Sequence, residues 1–316
     1  MTSTSLKLSV LIPSRSLHDP NLRRLLANLK RQTLQPSEII IETQGNSEEA
    51  KALAIQRAQG EFLIFFCTDN ELLDARYLET ALALGQQPGI DGAYSERYTY
   101  LPSDTSLNRY FALLGDNEPL CWWLGRSDRQ SAFGQSLDVP RKVTFTDATR
   151  LPSLGDNGFL CRASLVKPFV TNPATFGSCM DLWQTICDAK GQVTCYVFPS
   201  AIWHRTATAF WPFIRRRCHY VRSLYFDRRH TRRWHLVSGW HDGLKAAGYA
   251  LASLLVVPQV FVALAGYYRL RDRAWGWHPL VCHTLTWVYL WLWARHHLKR
   301  VLSSVRISVP MTWRGA

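Results

Sequence analysis

The sequence predicts an α/β protein, a mostly parallel, doubly wound sheet continued by a basic amphipathic segment and two C-terminal hydrophobic helices. Three observations predict it. Apolar runs of strand length alternate with stretches of helical periodicity between residues 8 and 100. The excess of positive charge is arginine, much of it crowded into one late stretch. Beyond that stretch lie two long segments with almost no charge. The implied divisions are a soluble domain over 1–212, a basic interfacial segment over 213–242, and a helical hairpin with its tail over 243–316.

Each element has its own signal. Leu8 to Ser14 reads as a first strand; its apolar part is too short for a leader segment and ends in Pro13. Asp19 and Pro20 supply an N-cap and a first-turn proline. Leu22, Leu25, Leu26 and Leu29 then recur at helical spacing, with Arg23, Arg24, Lys30 and Arg31 on the other face. Ser37 to Thr43, centred on Ile39, Ile40 and Ile41, reads as a second buried strand. Asn46 and Glu49 are spaced as a capping box for a helix that runs to Ala58, and Gly60 stops it. Phe62 to Phe66 is a third strand, apolar enough to be buried on both faces. A helix over Asp74 to Leu84 and strands over Gly92 to Tyr100 and Val193 to Pro199 come next. Strand and helix in alternation imply parallel, right-handed crossovers.

Composition narrows the class. The 316 residues carry a formal charge of +13. Eight cysteines show no C-x-x-C pair and no metal-type spacing, so they read as reduced and structural. Thirteen tryptophans fall unevenly, many of them beyond residue 200.

The third strand stops at Cys67-Thr68-Asp69-Asn70. Ligands of open α/β sheets bind beyond the carboxyl ends of the strands, so Asp69 is placed at the mouth of a cleft. A turn-capping aspartate is the alternative use of that residue. The stretches LSVLIPSR, SEIIIET and RAQGEFLIFFCTDN together resemble the nucleotide-binding half of a family 2 glycosyltransferase with the GT-A fold. The resemblance spans residues 6 to 210. It implies that Pro13, Ser14, Arg15 and Glu42 line the nucleoside pocket. It also implies that Asp69, with Asn70 beside it, matches the end of the Asp-x-Asp motif, which holds Mg²⁺ or Mn²⁺ against the donor phosphates. Cys67 stands where that family has its first aspartate, and Thr43-Gln44 replaces a commoner Asp-Gly.

Further along, Leu154-Gly-Asp-Asn-Gly-Phe-Leu-Cys-Arg162 resembles the family's Gly/Asn turn, which implies donor contacts at Asn157 and Gly158. Asp181, in Phe176-Gly-Ser-Cys-Met-Asp181, resembles the acidic acceptor-site motif and is thereby implied as general base; a helix-capping aspartate is the structural alternative. His204 comes after the last strand, where the resemblance implies a second metal ligand beside Asp69. The stretch 114–125, rich in turn residues and tryptophan, reads as an ordered insertion on the acceptor side or as a loop packed on itself.

Between Ile214 and His235 stand eight arginines (215, 216, 217, 222, 228, 229, 232, 233) against one aspartate, interleaved with aromatics. Because two long apolar segments come directly after it, that pattern suits an interfacial helix on anionic lipid better than a nucleic-acid site. Arg215, Arg216 and Arg217 are the candidates for contact with a lipid phosphate or the donor diphosphate. Ala246 to Tyr268 is 23 residues without charge, and Ala274 to Ala294 is 21 with His278 and His283 as titratable groups. Each is long enough to span a bilayer, the first with a kink at Pro258, although Arg269, Arg271 and Arg273 between them oppose that topology. A re-entrant or interfacial hairpin is the other arrangement.

The expected function is an inverting, metal-dependent glycosyltransferase on the cytoplasmic side of the inner membrane. It would use a nucleotide-sugar donor and a lipid-linked or envelope-glycan acceptor. Transfer to a polyprenyl phosphate is the alternative within the enzyme class. A non-catalytic, membrane-associated nucleotide-sugar binder is the alternative outside it.

Overall fold

The computed structural model describes residues 7–228 and 231–307, without the side chains of 299–307; Arg229 and the tail 308–316 lie outside the described residues. The strands are β1 (Leu8–Pro13), β2 (Glu38–Glu42), β3 (Phe62–Phe65), β4 (Asn70–Leu72), β5 (Gly92–Thr99), β6 (Arg141–Phe145), β7 (Phe159–Arg162) and β8 (Val193–His204). They form one sheet in the order β2-β1-β3-β7-β5-β8-β4, with β6 also on β8. β1, β2, β3, β5 and β8 share one direction, while β7, β4 and β6 run against it. The sheet is therefore mostly parallel, as expected, with three strands against the common direction. The departure comes from β7, which enters as an antiparallel strand between β3 and β5.

The central strand is as apolar as its surroundings require: Phe62 to Phe66 are each 3 % exposed or less. Residues of β3 alternate between two clusters, Leu63 and Phe65 on one face and Phe62 and Ile64 on the other. β2 differs from expectation. It is the edge strand, and Ile39 is exposed, because only β1 pairs with it.

Helices α1 (Pro20–Leu29), α2 (Ser47–Arg57), α3 (Tyr77–Gly85), α4 (Ser106–Leu114), α5 (Pro119–Trp123), α6 (Ala163–Val166) and α7 (Cys179–Lys190) cover the sheet or its margins. The capping signals act as the sequence implies. Asp19 accepts from the Asn21 amide, and Asn46 and Glu49 form a reciprocal capping box.

The C-terminal third departs most from expectation. α8 (Phe210–Tyr220) packs Phe213 and Ile214 into the domain, and a π-helical turn, Val221–Asp227, continues it. Two arginines of this stretch are buried in ion pairs, Arg217 with Glu118 and Arg232 with Asp181, while Arg228 pairs with Glu49 and Arg233 with Asp188 nearer the surface. The segment is docked on the domain as a strap.

α9 (Gly239–Leu255) and α10 (Val257–Leu270) meet at a 90° bend, and no single helix among the described residues is long and apolar enough to cross a membrane. The break falls at Val256, with φ +63°, and Pro258 sits in the first turn of α10, where its missing N–H costs nothing. The connection after α10 returns to the domain. Asp272 pairs with Arg109 of α4 and accepts from Tyr100, and Trp275 is fully buried. Gly266 permits that return, since a Cβ there would overlap the Trp275 ring. α11 (Trp277–Ile307) then leaves from the same surface. Two bilayer spans would put residues 269–276 on the far side of a membrane, whereas they dock beside α4. The described geometry is a helical elbow with an exposed apolar bend: Leu251, Leu255, Val257, Phe261 and Leu264.

A polar chain holds the elbow. Tyr110 Oη lies 2.8 Å from His278 Nδ1, His278 Nε2 3.0 Å from Gln259 Oε1, and Gln259 Nε2 donates to Ser253 at 3.0 Å. Each of these side chains is buried and partnered, as buried polar groups must be.

Candidate active site

The ends of β1, β2, β3 and β8 lie on one rim of the sheet, because those strands share a direction. β7 contributes from its start: the Gly158 amide donates to Phe65 O at the tip of β3. This topology gathers Pro13–Arg15, Glu42, Asp69, Asn70, Asn157, Gly158 and His204 from distant parts of the chain.

Asp69 and His204 are brought together by a small strand. β4 pairs antiparallel with the end of β8, Asn70 opposite His204, and Arg205 N donates to Asp69 O at 2.9 Å. Asp69 Oδ2 stands 3.6 Å from His204 Nε2, while His204 Nδ1 faces Thr206 Oγ1 at 3.3 Å. Asp69 Oδ1 is buried with no hydrogen-bond partner. Burial alone would raise the Asp69 carboxyl, but the His204 ring and the Arg216 guanidinium outweigh it and hold the carboxyl low. A carboxylate with an orphaned oxygen beside an imidazole held through its other nitrogen fits a divalent cation completed by ligand oxygens. Among the described residues no cluster of three or more His, Cys, Asp or Glu surrounds such a site, so protein ligation would stop at this pair.

The remaining expected residues divide by what they touch. Pro13 aligns with Glu42 across the β1–β2 pair, Ser14 N donates to Glu42 O at 2.9 Å, and Arg15 is exposed. The Glu42 carboxylate is already committed to the Thr43 and Gln44 amides and to Arg57, so it shapes the pocket rather than offering a free acceptor. Asn70 accepts from Cys67 N at 2.9 Å and closes the turn that presents Asp69. Asn157 adopts φ +53°; its carbonyl accepts from Arg129 and its amide donates to Tyr98 Oη, whose ring lies 5.1 Å from that of His204. Gly158, at φ +80°, is required by packing, since a Cβ would collide with Ile202 and with Tyr77 Oη. Arg216 donates to Thr206 O and acts on Asp69. Arg217, one position on, points away to Glu118. Arg215 is exposed.

Asp181 borders a cavity of about 160 Å³, and its carboxylate is already engaged. One carboxylate oxygen accepts from the Arg233 and Trp234 amides at 2.8 and 2.7 Å; the other accepts from Ser178 Oγ at 2.7 Å and lies 2.8 Å from Arg232 Nε. The residue is 6 % exposed. Three hydrogen bonds and the Arg232 ion pair make it a clamp that holds the 232–234 segment to the start of α7, whose cap is Ser178. An acceptor proton would reach this carboxylate only after the clamp opened.

Sequence reading passed over Lys51 and Asp156. Lys51, 4 % exposed on α2, lies 3.0 Å from Glu48 Oε1 and 2.8 Å from Asp156 Oδ1. Burial alone would lower its ammonium pKa, but Asp156 and Glu48 outweigh that and raise it. Asp156 keeps 28 % of its side chain exposed and lies close enough to Cys67 to push that thiol upward, after the larger effect of burial. A lysine three residues after a glutamate reads in sequence as a solvated helix pair; only its buried face distinguishes it.

No family model matches the chain, and no curated protein matches it. Among solved structures it is similar to residues 1–349 of Staphylococcus aureus TarS in complex with UDP. There the identity is 13 %, over 72 % of this chain and 68 % of that one, with a TM-score of 0.41. It is also similar to the mannosyltransferase PcManGT from Pyrobaculum calidifontis in complex with GDP-Man and Mn²⁺. That match has 13 % identity over 90 % of this chain and 86 % of that one, with a TM-score of 0.45. Both neighbours are glycosyltransferases. At TM-scores below 0.5 these likenesses carry no argument about activity, which this chain's own residues have to supply.

Proposed function

We propose that the chain is a nucleotide-sugar-dependent glycosyltransferase that works at a membrane surface, attached through the α9–α10 elbow. The carrying observation is the Asp69–His204 pair, with its orphaned carboxylate oxygen, at the strand-end rim beside Arg216. Asp69 and His204 would hold a divalent cation. Such an ion neutralises charge on a departing diphosphate. Arg216 adds a second positive charge on the same side, where negative charge grows as the donor bond breaks.

The engagement of Asp181 favours one acceptor class over the other. A sugar hydroxyl needs a positioned base, which contributes roughly 10²- to 10⁴-fold. A phosphate monoester is already ionised and attacks without one. With Asp181 held by three hydrogen bonds and the Arg232 ion pair, and Asp156 held by Lys51, the reading supported best is a lipid phosphate as acceptor. Attack of its oxygen on the anomeric carbon expels the nucleoside diphosphate and inverts that centre.

Transfer from a panel of nucleotide sugars to an alkyl phosphate and to an alkyl glycoside, each in detergent with and without EDTA, tests both levels. Binding of nucleotide sugar without turnover on either acceptor would return the chain to a non-catalytic binder. Turnover on the glycoside alone would overturn the phosphate reading. Full turnover in EDTA would remove the cation.

A further inference from the structure

A cavity of about 390 Å³ lies outside the strand-end cleft, between the π-helical turn, the segment 235–237 and α11. Its walls are Leu120, Val221, Phe226, Leu236, Val237 and Trp293. Its floor is polar but closed on itself: Glu118 accepts from both Arg217 and Tyr289. A charged guest would have to break that buried pair, whereas an apolar guest covers it. The volume is at the small end of ligand pockets and suits one narrow chain rather than a two-tailed lipid.

Two further observations say where such a chain comes from. The rim residues Val237 and Trp293 are exposed, and Trp287, Leu290 and Trp293 recur every third residue along an exposed side of α11. The mouth therefore continues into an apolar, tryptophan-rich surface of the kind that sits at a lipid boundary. Helix α8 contributes to both the cavity and the cleft. Arg217 lies on the cavity floor, while Arg216, about 100° further round α8, acts on Asp69.

We propose that this cavity holds the hydrocarbon tail of the acceptor, a single isoprenoid or alkyl chain whose phosphate reaches around α8 to the Asp69–Arg216 side of the cleft. The assignment rests on the lipid-phosphate reading of the function and adds the place where the lipid is held. The tail is recognised by burial alone, so chain length and thickness set the preference and double-tailed lipids are excluded.

The test uses the full chain in detergent and a farnesyl monophosphate carrying a diazirine at the tail end. No sugar or nucleotide is added, so the result does not depend on catalysis. Irradiation is expected to label residues 221–226, 236–237 or 289–293. Leu236→Trp, which fills the cavity, and Val237→Glu, which charges its exposed rim, are each expected to reduce labelling at least tenfold with nucleotide-diphosphate binding unchanged. The second variant keeps the test valid if the first fails to fold. Labelling confined to the elbow at 251–264, or undiminished in Val237→Glu, overturns the assignment. So does equal labelling by a diacyl phospholipid with the same diazirine, which would make this a site for bulk lipid. Labelling as expected in a protein that transfers only to a soluble hydroxyl acceptor would leave the pocket standing and remove the function it was assigned to.

Discussion

Residues 8 to 100 and residues 210 to 307 were read by the same rules and came out differently. In the first region, strands and helices fall within a few residues of their expected places, caps included. In the second, the arginine-rich stretch docks as a strap, and the first long apolar segment is a pair of helices bent by 90° rather than one straight span. The difference lies in how many partners can satisfy each pattern. A five-residue apolar strand buried on both faces is satisfied by a sheet with helices over it, and little else. A long apolar helix is satisfied equally by lipid or by protein, and hydropathy does not distinguish them. Here the deciding surface is supplied by Tyr110, Phe111 and Phe213, remote in sequence, which meet Trp275, Val281 and Leu285.

The comparison can be broken first in the well-read half. Asp69→Ala should abolish cation-dependent donor binding, a loss beyond about a hundredfold, since even the outer partners of metal ligands cost 10- to 100-fold. His204→Ala should cost less than Asp69→Ala. Titrating Mn²⁺ against nucleotide-diphosphate affinity measures both, and unchanged affinity in Asp69→Ala would remove the site from the rim.

Asp181 fastens the second region to the sheet domain, because its clamp ties the strap to α7. Asp181→Ala should lower unfolding free energy by about 3–5 kcal/mol by leaving Arg232 buried without its partner. Asp181→Asn should cost less and, with a phosphate acceptor, leave turnover within a few-fold. A hundredfold fall in turnover in Asp181→Asn or Asp156→Asn, at unchanged donor affinity and Tm, would restore a general base and a hydroxyl acceptor.

The elbow tests the second region alone. Leu251→Glu with Phe261→Glu should leave Tm nearly unchanged, since both side chains are exposed. Vesicle binding should fall more than tenfold, as each apolar side chain contributes about 1.5–3 kcal/mol on full burial. Vesicle flotation measures the loss, and high salt should not mimic it. Release of the unmodified chain by salt alone would mean that arginine, not the elbow, holds the membrane.

The smallest effect concerns the return of the connection to the domain. Burial raises the Asp272 carboxyl, but bonds from Arg109, the Ala274 amide and Tyr100 more than offset it and hold it below its ordinary range. A depressed carboxyl adds stability above its unfolded pKa and loses it as pH falls through the folded value. Arg109→Ala should therefore cost about 1 kcal/mol at neutral pH and progressively less in acid. Equal Tm differences at pH 7 and in strong acid would show that this pair does not anchor the elbow.

Part of the site was legible for a physical reason. Asp69 ends an apolar strand, and position alone marks it as a rim residue. His204 was marked by coming after a strand, but its nearness to Asp69 depends on β4, three residues long and without a sequence signal of its own. Lys51, Asp156 and the Asp181 clamp were illegible because each is defined by a partner in a distant segment: Asp156 for Lys51, Arg232 for Asp181.

The sequence by itself determined the helices and, apart from β4, the strands of the first hundred residues, their caps, and the rim on which Asp69 stands. It did so because burial on two faces and unpaired helix-end amides are local demands with few local answers. The tertiary structure alone decided that the last third docks on the rest of the chain, that Arg216 and Arg217 serve different sides of one helix, and that the Asp181 carboxylate meets the 232–234 segment. Those outcomes depend on which distant surface reaches a residue first, and neither charge nor periodicity along the chain encodes that.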